Sequence, residues 1–363
     1  MHKRTLTKPD GRLLHLYSRR PVPEGIVATA PRGEPVRANP HRRWHPLRGE
    51  WVIYASHRQE RTFLPPPDYS PLATTKSPEF PTEMPSGDYE AAVFENRFPS
   101  LAQDARDAPS LAVPTEPAAG ACEVVVFTQD PNASLGGMPL DRVALVLEIL
   151  AERTRDLARD PRLEYLLAFE NRGVEMGVTL HHPHGQIYAY SFVPPVPARM
   201  LGRMEEHHRD HGRGLIEDLL ADELRDGRRI VAETPHALSF VPVCARYPYE
   251  TWIAPRKPVA RISELGSDEL RDLARALKTT LGKYDALWSR PMPYLLSLFQ
   301  APLRGEHPAA HVHFQITPAL RTRDRLKYLA GTELAGGVFV NDSIPEEKAA
   351  ELRAVRLPGE EER

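Results

Sequence analysis

His181-His182-Pro183-His184-Gly185-Gln186, running into Ile187-Tyr188-Ala189-Tyr190-Ser191-Phe192, is the stretch on which the reading of this chain turns. Pro183 pushes His182 out of the helical region toward an extended backbone. The apolar and aromatic alternation that follows predicts a strand. Side chains two apart on a strand share a face, so His182, His184, Gln186 and Tyr188 are expected on one side and Ile187 and Ala189 in a core on the other. Two imidazoles and a carboxamide aimed at one cleft make a site.

Working outward, 363 residues exceed the usual size of one domain and predict two of similar length, 1–194 and 195–363. A hydrophobic fraction of 41% and a charged fraction of 26% supply ample core, and a net charge of -2 gives no drive toward nucleic acid or an anionic membrane. No apolar run is long enough to cross a bilayer, and Met1-His2-Lys3-Arg4-Thr5 lacks a signal-peptide core, so a cytoplasmic location is expected. Cys122 and Cys244 read as buried thiols rather than a disulfide.

Residues 1 to about 38 form a basic, proline-rich arm with a hairpin at Pro9-Asp10-Gly11. Strands are predicted at 51–54, 123–127, 163–169, 238–241, 250–253, 294–299 and 310–316. Residues 64–88 read as a long loop. Helices are predicted at 141–159 with Asp141 as cap, at 267–288 with Ser267 as cap, and at 345–356, with a charged, broken helical region at 199–225. Pro194-Pro195-Val196-Pro197 reads as a hinge. The second half repeats the plan of the first, with His311-Val312-His313-Phe314 as counterpart of His182-Pro183-His184-Gly185. The expected fold is α+β: two tandem units, each a largely antiparallel sheet with flanking helices.

A neutral imidazole is a competent nucleophile near neutral pH, and its phosphoryl adduct stays activated for onward transfer. One ring nitrogen must be held protonated so that the other attacks. Gln186 can donate to phosphate oxygens without acting as acid or base. The residues alone leave two other readings open, a metal site and a purely structural cluster, since histidine is the commonest metal ligand. For His311 and His313 the choice between structure, a metal remnant and a site wall is equally open.

His-Pro-His-Gly-Gln before a strand resembles the signature of the galactose-1-phosphate uridylyltransferase family, in the transferase branch of the histidine-triad superfamily. The resemblance extends over roughly residues 39 to 356. It includes Pro40-His41-Arg42-Arg43-Trp44-His45-Pro46-Leu47, Phe94-Glu95-Asn96-Arg97-Phe98-Pro99, Phe169-Glu170-Asn171-Arg172-Gly173, Met176-Gly177-Val178-Thr179, Pro248-Tyr249-Glu250-Thr251 and Lys327-Tyr328. Motifs this numerous and ordered are specific where one alone is not. The resemblance implies two histidine-triad-like half-barrel units and transfer of UMP between UDP-glucose and galactose 1-phosphate, in galactose metabolism, by a homodimer without an added cofactor. It implies His184 as the nucleophile, the backbone around His182 as its orienter, and Gln186, Asn171 and Thr179 as phosphate contacts, beside Gly177. Arg58 and Arg61 would face the diphosphate, where planar guanidinium groups suit paired oxygens. Phe94 and Asn96 would meet the nucleoside. Lys327, Glu333 and Asn341 would meet the sugar or its phosphate, across a dimer interface. The alternative on the same fold is a phosphorylase in which inorganic phosphate accepts the nucleotide from ADP-glucose or a dinucleoside polyphosphate.

Departures from the family pattern concern metal. Its Cys-x-x-Cys zinc loop appears as Ala73-Thr74-Thr75-Lys76-Ser77-Pro78-Glu79, and the next histidine ligand falls near Pro131, leaving His182 alone. The iron positions keep His311 and His313 but pair them with Phe299 and about Met200. No structural metal is therefore expected. Val338-Phe339-Val340-Asn341-Asp342 stands where a sugar-phosphate glutamine is expected.

Overall fold

A computed structural model describes residues 1–33, 36–60 and 70–358. The strands and helices, in chain order, are β1 (His2–Thr7), β2 (Leu13–Ser18), β3 (His41–His45), β4 (Glu50–Tyr54), β5 (Ala91–Glu95), β6 (Thr115–Pro117), β7 (Gly120–Val126), α1 (Leu140–Leu157), β8 (Tyr165–Arg172), β9 (His184–Tyr190), α2 (Pro195–His211), α3 (Leu215–Asp226), β10 (Ile230–Glu233), β11 (Ala237–Phe240), β12 (Thr251–Pro255), α4 (Ser267–Leu287), β13 (Tyr294–Phe299), β14 (His313–Pro318), β15 (Leu320–Thr322), β16 (Arg325–Leu326) and α5 (Pro345–Ala354).

Eleven of these strands form one sheet in the order β1-β2-β5-β7-β9-β8-β13-β14-β12-β11-β10. Every strand pairing in it is antiparallel. The fold is thus α+β, and the halves mirror one another. The block β5-β7-β9-β8 answers to β11-β12-β14-β13, with α1 and α4 in matching places in the chain. The halves meet at β8 and β13, where Leu296 faces Glu170 and Ser297 faces Phe169. The separate sheets read from the sequence are therefore fused along one seam. At that seam the Tyr294 hydroxyl donates to Glu170 at 2.9 Å. Burial pushes the Glu170 carboxyl up to about 7, against the stabilising Tyr294 hydrogen bond.

Residues of β7 are buried throughout, as the β-branched run Val124-Val125-Val126 suits a central strand. In β9 exposure alternates, with Ile187 and Ala189 fully buried. One core cluster gathers these two with residues of α1 and α4, so it runs through both halves. The opposite face of β9 carries His184, Gln186, Tyr188 and Tyr190. A separate three-stranded sheet, β4-β3-β6, and the β15-β16 hairpin complete the strands.

Several local expectations are corrected. The N-cap of α1 is Pro139, not Asp141, which lies in the first turn and pairs with Arg271 of α4. The cap of α4 is Gly266, whose N–H donates to Glu269 at 2.7 Å, so Ser267 is already helical. The Pro-rich hinge is instead the start of α2, because a first-turn proline sacrifices only an N–H that would lack a helical partner anyway. The hairpin expected at Pro9-Asp10-Gly11 is present as β1-β2, and it adds two strands to the main sheet beside β5. Cys122 is a buried free thiol as read, but Cys244 is exposed.

Candidate active site

Strand β9 begins at His184, not at His182. His182 precedes it in a bend, is 2% exposed, and turns its ring away from the strand face. Its Nε2 lies 2.8 Å from the Thr128 carbonyl oxygen, which can only accept, so Nε2 carries the proton. What His182 offers its neighbour is its own carbonyl. His184 Nδ1 lies 2.7 Å from that oxygen and must donate to it. The proton is therefore held on Nδ1, and the Nε2 lone pair of His184 is unencumbered. Burial depresses the His184 pKa and the His182 carbonyl opposes that shift, leaving it below the usual imidazole value and the ring neutral at pH 7.

Gly185 owes its place to packing. A Cβ there would approach the Phe127 ring and the Phe169 carbonyl, both at 3.0 Å. Its φ is not in the left-handed region. The constraint thus lies on the core side of the strand.

His184 and Gln186 line a cavity of about 360 Å³ with Arg58, Phe94, Asn96 and Thr179. Six of the residues singled out from the sequence thus converge. Among the described residues neither the Gln186 carboxamide nor the Thr179 hydroxyl has a hydrogen-bond partner, which leaves both for a ligand. Arg58 donates to the Phe98 carbonyl and also borders a larger groove of about 1190 Å³ containing Tyr188 and Tyr190. Asn96 Oδ1 accepts from the Phe98 amide at 2.9 Å, holding the turn behind the cavity. Arg61 lies outside the described residues. Asn171 and Gly177 do not line the cavity. Asn171 stands two residues beyond the Phe169–Gln186 pair and so on the His184 face of the sheet, while Gly177, at φ +76°, ends a one-turn 3-10 helix.

Lys327, Glu333 and Asn341 are apart from this cavity. Lys327 Nζ lies 3.0 Å from Glu333, and that ammonium, with nearby backbone N–H groups, holds the Glu333 carboxyl down at about 2. Asn341 donates to the Ala245 carbonyl at 2.9 Å. Cavity residues the sequence reading did not single out include Pro31, Arg32, Glu83 and Leu180. Nothing local marks them, because they reach the site only through chain folding.

The metal positions do not fit. In the segment that stands for the thiol loop, Thr75 hydrogen-bonds to Thr82 at 3.0 Å. His182 retains one unpartnered nitrogen, Nδ1, where a tetrahedral zinc needs four ligands. At the second pair, His311 Nε2 donates to the Pro255 carbonyl, and both nitrogens of His313 are engaged. Among the described residues no three His, Cys, Asp or Glu side chains are grouped as an ion would require.

Two His-x-His-x-Gln segments, each leading a central strand of one antiparallel sheet, mark a tandem protein of the histidine-triad fold with a histidine open to a cavity in one half. Comparison with known proteins narrows that class. Residues 33–194 match the N-terminal domain of galactose-1-phosphate uridyl transferase and residues 201–361 its C-terminal domain. The chain is 37% identical over 323 residues to the galactose-1-phosphate uridylyltransferase of Thermotoga maritima, covering 87% of this chain and 98% of that one. It is 33% identical over 367 residues to the enzyme of the same name from Streptomyces lividans, covering 97% and 98%. A solved uridylyltransferase structure superposes with a TM-score of 0.79 at 32% identity, over 87% of this chain and 98% of that one. The chain belongs to the galactose-1-phosphate uridylyltransferase family.

Proposed function

We propose that this protein exchanges UMP between UDP-glucose and galactose 1-phosphate in two steps through His184. In the first, the Nε2 lone pair attacks the α-phosphorus, the bond to the bridging oxygen breaks, and glucose 1-phosphate leaves. In the second, a phosphate oxygen of galactose 1-phosphate attacks the same phosphorus and the P–N bond breaks, restoring the neutral ring. Nδ1 keeps its proton throughout. The adduct ring is cationic, and the His182 carbonyl at 2.7 Å accepts more strongly from a charged donor, favouring the intermediate. Gln186, Thr179 and Arg58 donate to the phosphate oxygens as charge develops. Asn171 and Gly177, which lie outside the cavity lining, are assigned as further contacts of a bound substrate, and Arg61 is assigned with Arg58.

The observation that carries this reading is the orientation of His184, with Nδ1 bound and Nε2 facing the cavity. Incubation with uridine-labelled UDP-glucose should yield a stoichiometric adduct at His184, and His184→Ala should give none. A label mapped to another residue, or none with wild type, rejects the proposal. Turnover of ADP-glucose with inorganic phosphate, without exchange into galactose 1-phosphate, would replace it with a phosphorylase.

The functional unit is read as a cytoplasmic homodimer, divided within each chain at 194/195. No helix among the described residues is long and apolar enough to cross a membrane. Tyr328, Leu334, Val338 and Val340 are exposed close to Lys327, Glu333 and Asn341, which supports docking of this segment onto a second copy. There the three polar residues would meet the partner's sugar phosphate. Leu334→Glu should yield monomers in sedimentation; an unchanged dimer would remove this assignment.

A further inference from the structure

One wall of the His184 cavity comes from residues that precede the matched family segment. That segment starts at residue 33, yet Pro31 and Arg32 line the cavity. The hairpin leading to them is pinned by charge. Lys8 Nζ, its side chain wholly buried, lies 2.9 Å from a Glu83 carboxylate oxygen and donates to the Glu83 carbonyl at 2.6 Å. Arg12 bridges Asp10 at 2.6 Å and Glu83 at 2.8 Å, and donates to the Glu95 carbonyl at 2.8 Å. Glu83 is a carboxylate bordering the cavity, and the two hairpin cations neutralise it where it would otherwise repel a phosphate.

Beyond the hairpin the chain stays anchored. The Thr75 hydroxyl donates to Thr29 at 3.1 Å, and Ile26 fills the space over Gly87, where a Cβ would come within 2.5 Å of it. Arg97 donates to the carbonyls of Pro31 and Arg32, both at 3.2 Å. The Arg32 backbone is therefore fixed, whereas its guanidinium has no hydrogen-bond or ion-pair partner among the described residues. A fixed stem bearing an unengaged planar cation at a cavity that holds a neutral imidazole, a free carboxamide and Arg58 matches a phosphate group.

We infer that Arg32 is a substrate-binding residue for the phosphate that stays with the hexose, and that the Lys8–Glu83–Arg12 cluster positions it. The inference rests on the nucleotidyl-transfer reading, which puts the α-phosphorus at His184 and the second phosphate toward the rim. Calorimetric titration of the full chain with UDP and with UMP separates the two phosphates. Wild type should bind UDP more tightly than UMP. Arg32→Ala should weaken UDP about tenfold, leave UMP unchanged, and raise the UDP-glucose concentration for half-maximal labelling without lowering its plateau; Arg32→Lys should recover part of the loss. Unchanged UDP binding in Arg32→Ala, or equal weakening of UMP, overturns the inference. If wild type binds both nucleotides but UDP-glucose never labels it, the transfer reading fails while the binding contrast still decides Arg32.

Discussion

The two His-x-His-x-Gln segments share one hydrogen-bond pattern and differ in what covers them. In each, the first histidine donates from Nε2 to a carbonyl of the neighbouring strand or its extension, Thr128 or Pro255, both at 2.8 Å. In each, the second donates from Nδ1 to the carbonyl of the first, at 2.7 Å for His184 and 2.9 Å for His313. The contrast begins at the other ring nitrogen. His184 Nε2 faces a cavity, whereas His313 Nε2 accepts from Gln315 at 3.2 Å. Phe299 stacks on the His313 ring at 5.6 Å and Trp252 lies 6.0 Å away, leaving the ring 2% exposed. Burial pushes the His313 pKa down to about 4. The same backbone device thus leaves a lone pair open in one half and makes a core element in the other, where a glutamine caps it.

The largest effect should separate the two rings. His184→Asn is expected to slow uridylyl transfer by at least about 10⁴-fold, while His313→Asn leaves the adduct in place and lowers only the melting temperature. Equal losses of labelling would erase the distinction. In the proposed mechanism His184 attacks as the neutral base, and its pKa lies below the ordinary imidazole value, so labelling should stay level as pH falls from 8 to about 6.5, then decline as Nε2 takes a proton. A fall already centred above 6.5 would contradict this.

At the seam joining the halves, Glu170 is raised from 4.5 to about 7. Between those values the folded chain binds more protons than the unfolded one, so its contribution is full at low pH and fades as pH rises toward 7, by about 3 kcal/mol in all. Glu170→Gln should flatten that slope in denaturant titrations from pH 5 to 8; an unaltered slope would place its origin elsewhere.

Gly185 and Phe314 are counterparts, one crowded by Phe127 and the other a buried core side chain. Gly185→Ala should cost about 2 kcal/mol by overpacking and slow labelling by shifting His184, measurable as a lower urea midpoint and a reduced rate constant. Smallest of these, Gln315→Leu strands a buried acceptor on His313 and should cost about 1 kcal/mol in the same urea titration without creating a second labelled site. A new adduct at His313 would mean that the cap alone silences it.

Much of this was legible before folding. The alternation in 184–190 named the site face of β9, and the duplicated His-x-His pattern announced a second unit. The errors are local and physical. His182 sits outside the strand because the bend at Pro183 lets it bond to Thr128. Asp141 is no cap because the helix already starts at Leu140 after Pro139, and its carboxylate instead pairs with Arg271, 130 residues away. The roles proposed for Lys327, Glu333 and Asn341 call for a second copy, since within one chain these residues satisfy one another or nearby backbone.

The sequence by itself determined the strand that carries His184 and the twofold plan, because period-two patterning and proline geometry act over a few residues. Only the tertiary structure decided which of two similar histidines is open, and that an N-terminal hairpin supplies Arg32 to the cavity. Those outcomes rest on Phe299 and Trp252 over one ring and on Lys8 reaching Glu83 across 75 positions. Contacts of that range follow from packing and charge burial, which no local pattern encodes.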